Sequence, residues 1–230
     1  MNFPIIFGHR GASSLEPENT MKAFDRALQD GADGIEFDVR KTADDELVII
    51  HDQRINRTSN GRGRVSKISY SNLLKYDFGK EEKIPLLRDV LKLYGNKHWL
   101  NVEVKEIGFE NQLVEMLKEL KINKKLVVSS FKIPVLNKLK ELTDEIPTAY
   151  LFNRETNDLK KLIKNVDTND IHPGKHFVNK TLIDNAHKLN IQVRVWTVDD
   201  RITARKLTEW GVDGIMTNNP KEIIKFLKDK

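Results

Sequence analysis

Short β-branched runs alternate with longer stretches of helical periodicity along this 230-residue chain. That alternation is the mark of a parallel sheet assembled from strand–helix units. The strand runs fall at 5–8, 34–39, 47–51, 99–105, 126–130, 147–152, 168–172, 192–197 and 213–217. A parallel crossover needs about a dozen residues. Only Lys41-Thr42-Ala43-Asp44-Asp45-Glu46 separates the second run from the third, so 47–51 returns as a hairpin and eight parallel strands remain. Helical segments follow at 19–29, 109–121, 132–143, 155–164, 179–190, 201–210 and 219–228, the first capped by Asn19 or Thr20. The expected fold is α/β, a single (β/α)₈ TIM barrel over 1–230, because barrels of this kind typically need about 250 residues. A small insertion after the second barrel strand, at about 52–95, is expected to carry short helices over the barrel mouth.

Composition narrows the classes of function. No run approaches the roughly 18 unbroken apolar residues of a membrane helix, so no transmembrane segment is expected. The absence of cysteine excludes thiolate chemistry, zinc knuckles and disulfides. Met1-Asn2-Phe3-Pro4-Ile5-Ile6-Phe7 lacks the basic leader and cleavage site of a secretory signal, which makes the cytoplasm the expected location. The net charge of +5 comes from Lys and Arg scattered among acids, without aromatic–basic platforms, so no nucleic-acid partner is expected.

Chemistry concentrates at strand ends. In Gly34-Ile35-Glu36-Phe37-Asp38-Val39 the apolar side chains share one face, leaving Glu36 and Asp38 on the other. The run at 99–105 does the same with Asn101, Glu103 and Lys105. The polar face points into the barrel, where unpaired carboxylates cost several kcal/mol or change protonation. A hard divalent cation, Ca²⁺ or Mg²⁺, answers that need, with Glu36, Asp38 and Glu103 as ligands. The plainer alternative is an interior in which Arg10 and Lys105 neutralise the acids unaided. Acids at the C-terminal ends of strands, where barrel active sites form, favour the metal.

His9 and His51 end the apolar runs Ile5-Ile6-Phe7 and Val48-Ile49-Ile50, and a pair of imidazoles divides acid and base roles near neutral pH. His98, His176 and His187 read as surface or packing residues, and so does His172, although it ends a strand and could line the pocket. Three carboxylates set against a divalent ion, Arg10 and Lys105 leave one surplus positive charge, which suits a phosphodiester. The stretch Arg57-Thr58-Ser59-Asn60-Gly61-Arg62-Gly63 lacks the ending of a P-loop and reads as a solvated hairpin turn. Glu18 is either a supporting acid or a first-turn acid favoured by the helix dipole.

With His9-Arg10-Gly11, Glu18-Asn19-Thr20, Glu36-Phe37-Asp38-Val39, His51-Asp52, Glu103-Val104-Lys105, Ser130-Phe131, Trp196-Thr197-Val198 and Gly211-Val212-Asp213-Gly214, the chain resembles the glycerophosphodiester phosphodiesterase family, in its small bacterial form, over almost its whole length. The resemblance implies a (β/α)₈ barrel and metal-dependent hydrolysis of glycerophosphodiesters to glycerol 3-phosphate and an alcohol. It implies His9 and His51 as the acid/base pair and Glu36, Asp38 and Glu103 as metal ligands. Arg10 and Lys105 would contact phosphate, with Phe131 and Trp196 lining the pocket. The family usually has Asn where this chain has Asp199, and Thr-Asp-x-Pro where it has Thr217-Asn218-Asn219-Pro220; both departures are expected to lie outside the groups that touch metal or substrate. Pro85-Leu86-Leu87-Arg88-Asp89 departs from the family's Pro-Thr-Leu-Glu.

Attack by the neighbouring glycerol hydroxyl through a cyclic phosphate and direct attack by water need the same residues, so both routes stay open. The competing readings are a lysophospholipase D or phospholipase C-like enzyme on this scaffold, and a non-catalytic headgroup-binding barrel. A pure binder has no use for a proton-transfer pair, and a zinc amidohydrolase would need His-x-His in place of His9-Arg10-Gly11. Headgroup and oligomeric state stay open.

Overall fold

In a computed structural model, which describes residues 3–229 other than 157, 165 and 167, the first strand pairs with both the second and the last. That pairing closes the sheet. The strands are β1 (Ile5–His9), β2 (Gly34–Lys41), β3 (Leu47–Ile49), β4 (Trp99–Val104), β5 (Leu126–Ser130), β6 (Thr148–Phe152), β7 (Asp170–Pro173), β8 (Gln192–Val195) and β9 (Gly214–Thr217). All are parallel to their neighbours except β3, which runs antiparallel to the last turn of β2 through Val39, Arg40 and Lys41. The expected eight-stranded parallel barrel with a hairpin appendage is what forms.

Nine helices occupy the connections among the described residues: α1 (Met21–Gln29), α2 (Tyr70–Leu73), α3 (Leu87–Tyr94), α4 (Glu110–Glu119), α5 (Ile133–Leu142), α6 (Leu159–Lys164), α7 (Lys180–His187), α8 (Arg201–Trp210) and α9 (Pro220–Lys228). Thr20 caps α1, its Oγ1 accepting from Ala23 N–H. Asn19, the other expected cap, has other work in the site. The helix expected at 155–164 begins at Leu159, and Asn157 within that span lies outside the described residues, as do Met1 and Asn2 of the expected leaderless start and Lys230.

Side-chain alternation partitions the strands as the sequence suggests. Ile35, Phe37 and Val39 of β2 and Leu100, Val102 and Val104 of β4 pack outward against Phe24 and Ala27 of α1 and Leu87, Val90 and Leu91 of α3. Truncating a buried ring such as Phe37 would cost about 3–5 kcal/mol. The region read as one insertion from 52 to 95 divides in the structure. Val48, Ile50, Ile55, Val65, Leu73, Phe78 and Ile84 form a separate small core beside the mouth, whereas α3 joins the main core and serves as the barrel helix between β2 and β4. The reason is its apolar face: Leu87, Val90, Leu91 and Tyr94 are spaced to cover the sheet.

Candidate active site

The parallel register sets His9 of β1 beside Glu36 of β2, and Asp38 of β2 beside Glu103 of β4. One residue of pleat separates Glu36 from Asp38, so all three acids face the interior near the carboxyl ends of their strands. They are at most 8% exposed, and one ligand oxygen from each lies within 4.8 Å of the other two.

The turn after β1 builds one wall. Arg10 and Gly11 both adopt positive φ (55° and 82°), and a Cβ on Gly11 would lie 2.5 Å from the Ala23 carbonyl carbon. Only glycine fits that approach to α1. The reversal aims the Arg10 N–H at Glu36 Oε2 (2.9 Å) and its guanidinium at Glu18 (2.9 Å) and Asp38 (3.3 Å). Asn19, also left-handed at φ 59°, donates from Nδ2 to Asp38 Oδ2 at 2.8 Å. Lys105 Nζ closes the other side, 2.5 Å from Glu103 Oε1 and 3.2 Å from Asp38 Oδ1. Arg10 and Lys105 do act as internal counter-ions.

Two cations do not satisfy three acids. Burial, with the Asp38 and Glu103 charges adding to it, raises Glu36 well above the usual carboxylate range. Burial and then the Asp38 charge push Glu103 up to about 7. Burial acts upward on Asp38 too, but Lys105, Arg10 and the Asn19 hydrogen bond outweigh it and hold that carboxyl low. Asp38 Oδ1 is buried and meets only the Lys105 ion pair at 3.2 Å, which does not fill its acceptor capacity. An all-oxygen donor set, deficient in positive charge, fits a hard divalent cation.

His9 and His51 flank these acids. His9 Nε2 lies 3.9 Å from Glu36 Oε2, and its Nδ1 lies 2.7 Å from Asn218 Oδ1. Burial and the neighbouring Arg10 lower its pKa to about 4. His51 follows the hairpin strand. Ile50 N–H donates to the Asp38 carbonyl, and the buried Arg40 donates from Nε to the His51 carbonyl at 2.8 Å. Its Nδ1 lies 2.7 Å from Asp52 Oδ1. Burial lowers the His51 pKa against the opposing pull of Asp38 and Asp52. Phe131 stacks edge-on against Trp196 at 5.5 Å, with Lys105 Nζ 5.9 Å from its ring centre. Phe131 is 41% exposed at the mouth, and Trp196 Nε1 donates to the His172 carbonyl. All nine residues singled out in the sequence thus gather at one end of the barrel. His172 itself is fully buried rather than lining the mouth.

Five supporting residues are not marked by the sequence, Asn19 with its bond to Asp38 among them. Arg57, in the stretch read as a solvated turn, bridges Glu18 and Asp52. Arg40 carried no motif. Asn218, read as lying outside the site, touches His9 because the β9–α9 turn returns to the end of β1, and Asp199 holds Asn218 in turn. Glu18 proves to be a supporting acid, between Arg10 and Arg57.

The profile of the Glycerophosphoryl diester phosphodiesterase family matches residues 9–222. A glycerophosphodiester phosphodiesterase of Caldanaerobacter subterraneus subsp. tengcongensis is 32% identical, over 97% of this chain and 98% of that one. One from Bacillus altitudinis is 33% identical over 97% and 98%. Among solved structures, an Oleispira antarctica phosphodiesterase in complex with the product sn-glycerol-3-phosphate superposes with a TM-score of 0.91 at 28% identity, covering 98% of this chain and 97% of that one.

Proposed function

Because the chain belongs to the glycerophosphoryl diester phosphodiesterase family, we propose that it cleaves glycerophosphodiesters to glycerol 3-phosphate and an alcohol, using Glu36, Asp38 and Glu103 to hold one divalent cation and His9 and His51 to move protons. The observation that carries this reading is the convergence of three buried acids between two imidazoles whose Nδ1 atoms are both held from behind.

A bound Ca²⁺ or Mg²⁺ would supply Lewis-acid polarisation of a phosphoryl oxygen and lower the pKa of an attacking hydroxyl. The chain's own groups do the rest. Arg10 and Lys105, already turned toward the acids, present N–H donors to the non-bridging oxygens of the phosphodiester, and their charge offsets its negative charge. One imidazole, neutral with a bare Nε2, takes the proton from the attacking oxygen, while the other, starting as the imidazolium, gives its Nε2 proton to the departing alkoxide and is left neutral. Such assistance is typically worth about 10²–10⁴-fold. Phe131 and Trp196 give the alcohol portion an apolar wall at the mouth.

The test is incubation of purified protein with glycerophosphocholine, with and without EDTA, measuring glycerol 3-phosphate. Release that EDTA abolishes and Mg²⁺ or Ca²⁺ restores supports the reading; no release under any metal, or release insensitive to EDTA, contradicts it. A parallel lysophospholipid assay separates it from a lysophospholipase D activity.

A further inference from the structure

Behind His9 lies an arrangement that none of the motifs announces. Asn218 Oδ1 is 2.7 Å from His9 Nδ1. On its other side, Asn218 Nδ2 donates to Asp199 Oδ2 at 2.6 Å, and Asp199 Oδ1 accepts from Asn218 N–H (2.7 Å) and Thr217 Oγ1 (2.9 Å). Ser13 Oγ, 2.7 Å away, donates toward the same Asn218 Oδ1. Val198 N–H, bonded to the Met216 carbonyl, fixes the strand-end loop that carries Asp199 beside β9.

An amide presents an acceptor on one side and a donor on the other, and which side faces His9 is decided by what the far side meets. Turned the other way, Asn218 would set its oxygen against the Asp199 carboxylate, two acceptors at 2.6 Å, and its NH₂ against His9 Nδ1. The carboxylate forbids that. We infer that Asp199 and Asn218 form a positioning relay that holds His9 as the Nδ1–H tautomer, so that the Nε2 lone pair faces Glu36 and the reacting groups. Only that tautomer can accept a proton at Nε2.

The inference rests on the proposed role of His9, and its test separates the two. In metal-free protein labelled with ¹⁵N-histidine, the wild type shows His9 with Nδ1 protonated and Nε2 bare. In Asp199→Ala, at an exposed position, the freed amide turns and the Nε2–H tautomer rises. The same change lowers kcat on glycerophosphocholine about tenfold with KM little altered, the usual scale for a residue acting through another. The exchange variant Asp199→Asn with Asn218→Asp recovers both the tautomer and most of kcat. A wild-type Nε2–H tautomer overturns the relay, as does an Asp199→Ala protein with unchanged tautomer and turnover. Correct tautomers in a protein that fails to hydrolyse would leave the relay standing and remove the catalytic reading instead.

Discussion

Asp52 Oδ1 lies 2.7 Å from His51 Nδ1, and both oxygens of that carboxylate accept from Arg57, which also grips Glu18 across the mouth. A chain of charges therefore runs Arg10, Glu18, Arg57, Asp52, His51. It ties the β1–α1 turn to the small core beside the mouth. The Arg57 hydrogen bonds hold the Asp52 carboxyl far below the usual carboxylate range, so it is an acceptor at any working pH and fixes the proton on His51 Nδ1.

From this follows the first expectation. Asp52→Asn should lower kcat by about 10²-fold or more, since an amide can present its NH₂ and favour the wrong tautomer. Arg57→Ala, which leaves Asp52 in place but unfastened, should cost about tenfold. Steady-state kinetics on both variants checks the order; equal turnover in wild type and Asp52→Asn would remove the role.

Cation binding should depend on pH through Glu103. Its carboxyl, raised to about 7, must lose a proton to become a ligand. Glu36, also raised, must deprotonate too, so affinity for Mg²⁺ should rise by at least about tenfold between pH 6 and pH 8, with proton release on binding. Titration calorimetry in buffers of different ionisation heat measures both. Affinity independent of pH would place the cation elsewhere.

His172 gives a stability signature free of the active site. It is fully buried, and neither ring nitrogen has a hydrogen-bond partner. Asp170 Oδ1 stands 3.3 Å away, but its carboxylate pairs with Arg194, and burial lowers the His172 pKa to about 3. The unfolded chain takes up this proton near pH 6.5 and the folded one does not. The neutral ring's contribution is thus complete above pH 6.5 and is lost as pH falls toward 3. Between pH 7 and pH 5 the stability difference between wild type and His172→Gln should shrink by about 2 kcal/mol, read from urea unfolding. A constant difference would show that the ring is protonated in the fold.

Gly11→Ala tests the turn that aims Arg10. With φ at 82° and a Cβ 2.5 Å from the Ala23 backbone, the variant should lose about 1–3 kcal/mol of stability and much of its activity. Thermal unfolding and turnover should fall together; a variant as stable as wild type would mean that the turn has other ways to close.

The barrel was legible because the information is local. Each β-branched run needs only its own five or six residues to declare itself, and Ile35-Glu36-Phe37-Asp38 states its two faces within one strand. The principal acids and histidines were legible for the same reason, since they end such runs. What supports them was not. Arg57 reaches Glu18 across 39 residues and Asn218 reaches His9 across 209, and no periodicity in a single sequence encodes either contact. The α3 boundary is not legible because a polar connection and a barrel helix follow one another without a break, and only packing against β2 and β4 separates them. Residue type alone makes Asn19 a helix cap, whereas its left-handed backbone turns its amide toward Asp38.

Whether His9 and His51 move protons beside a cation held by the acids is read from kcat of His9→Ala and His51→Ala alongside their calorimetric Mg²⁺ affinities. Turnover should fall by about 10²–10⁴-fold in each, with metal affinity nearly unchanged. Wild-type turnover in both variants would contradict that role.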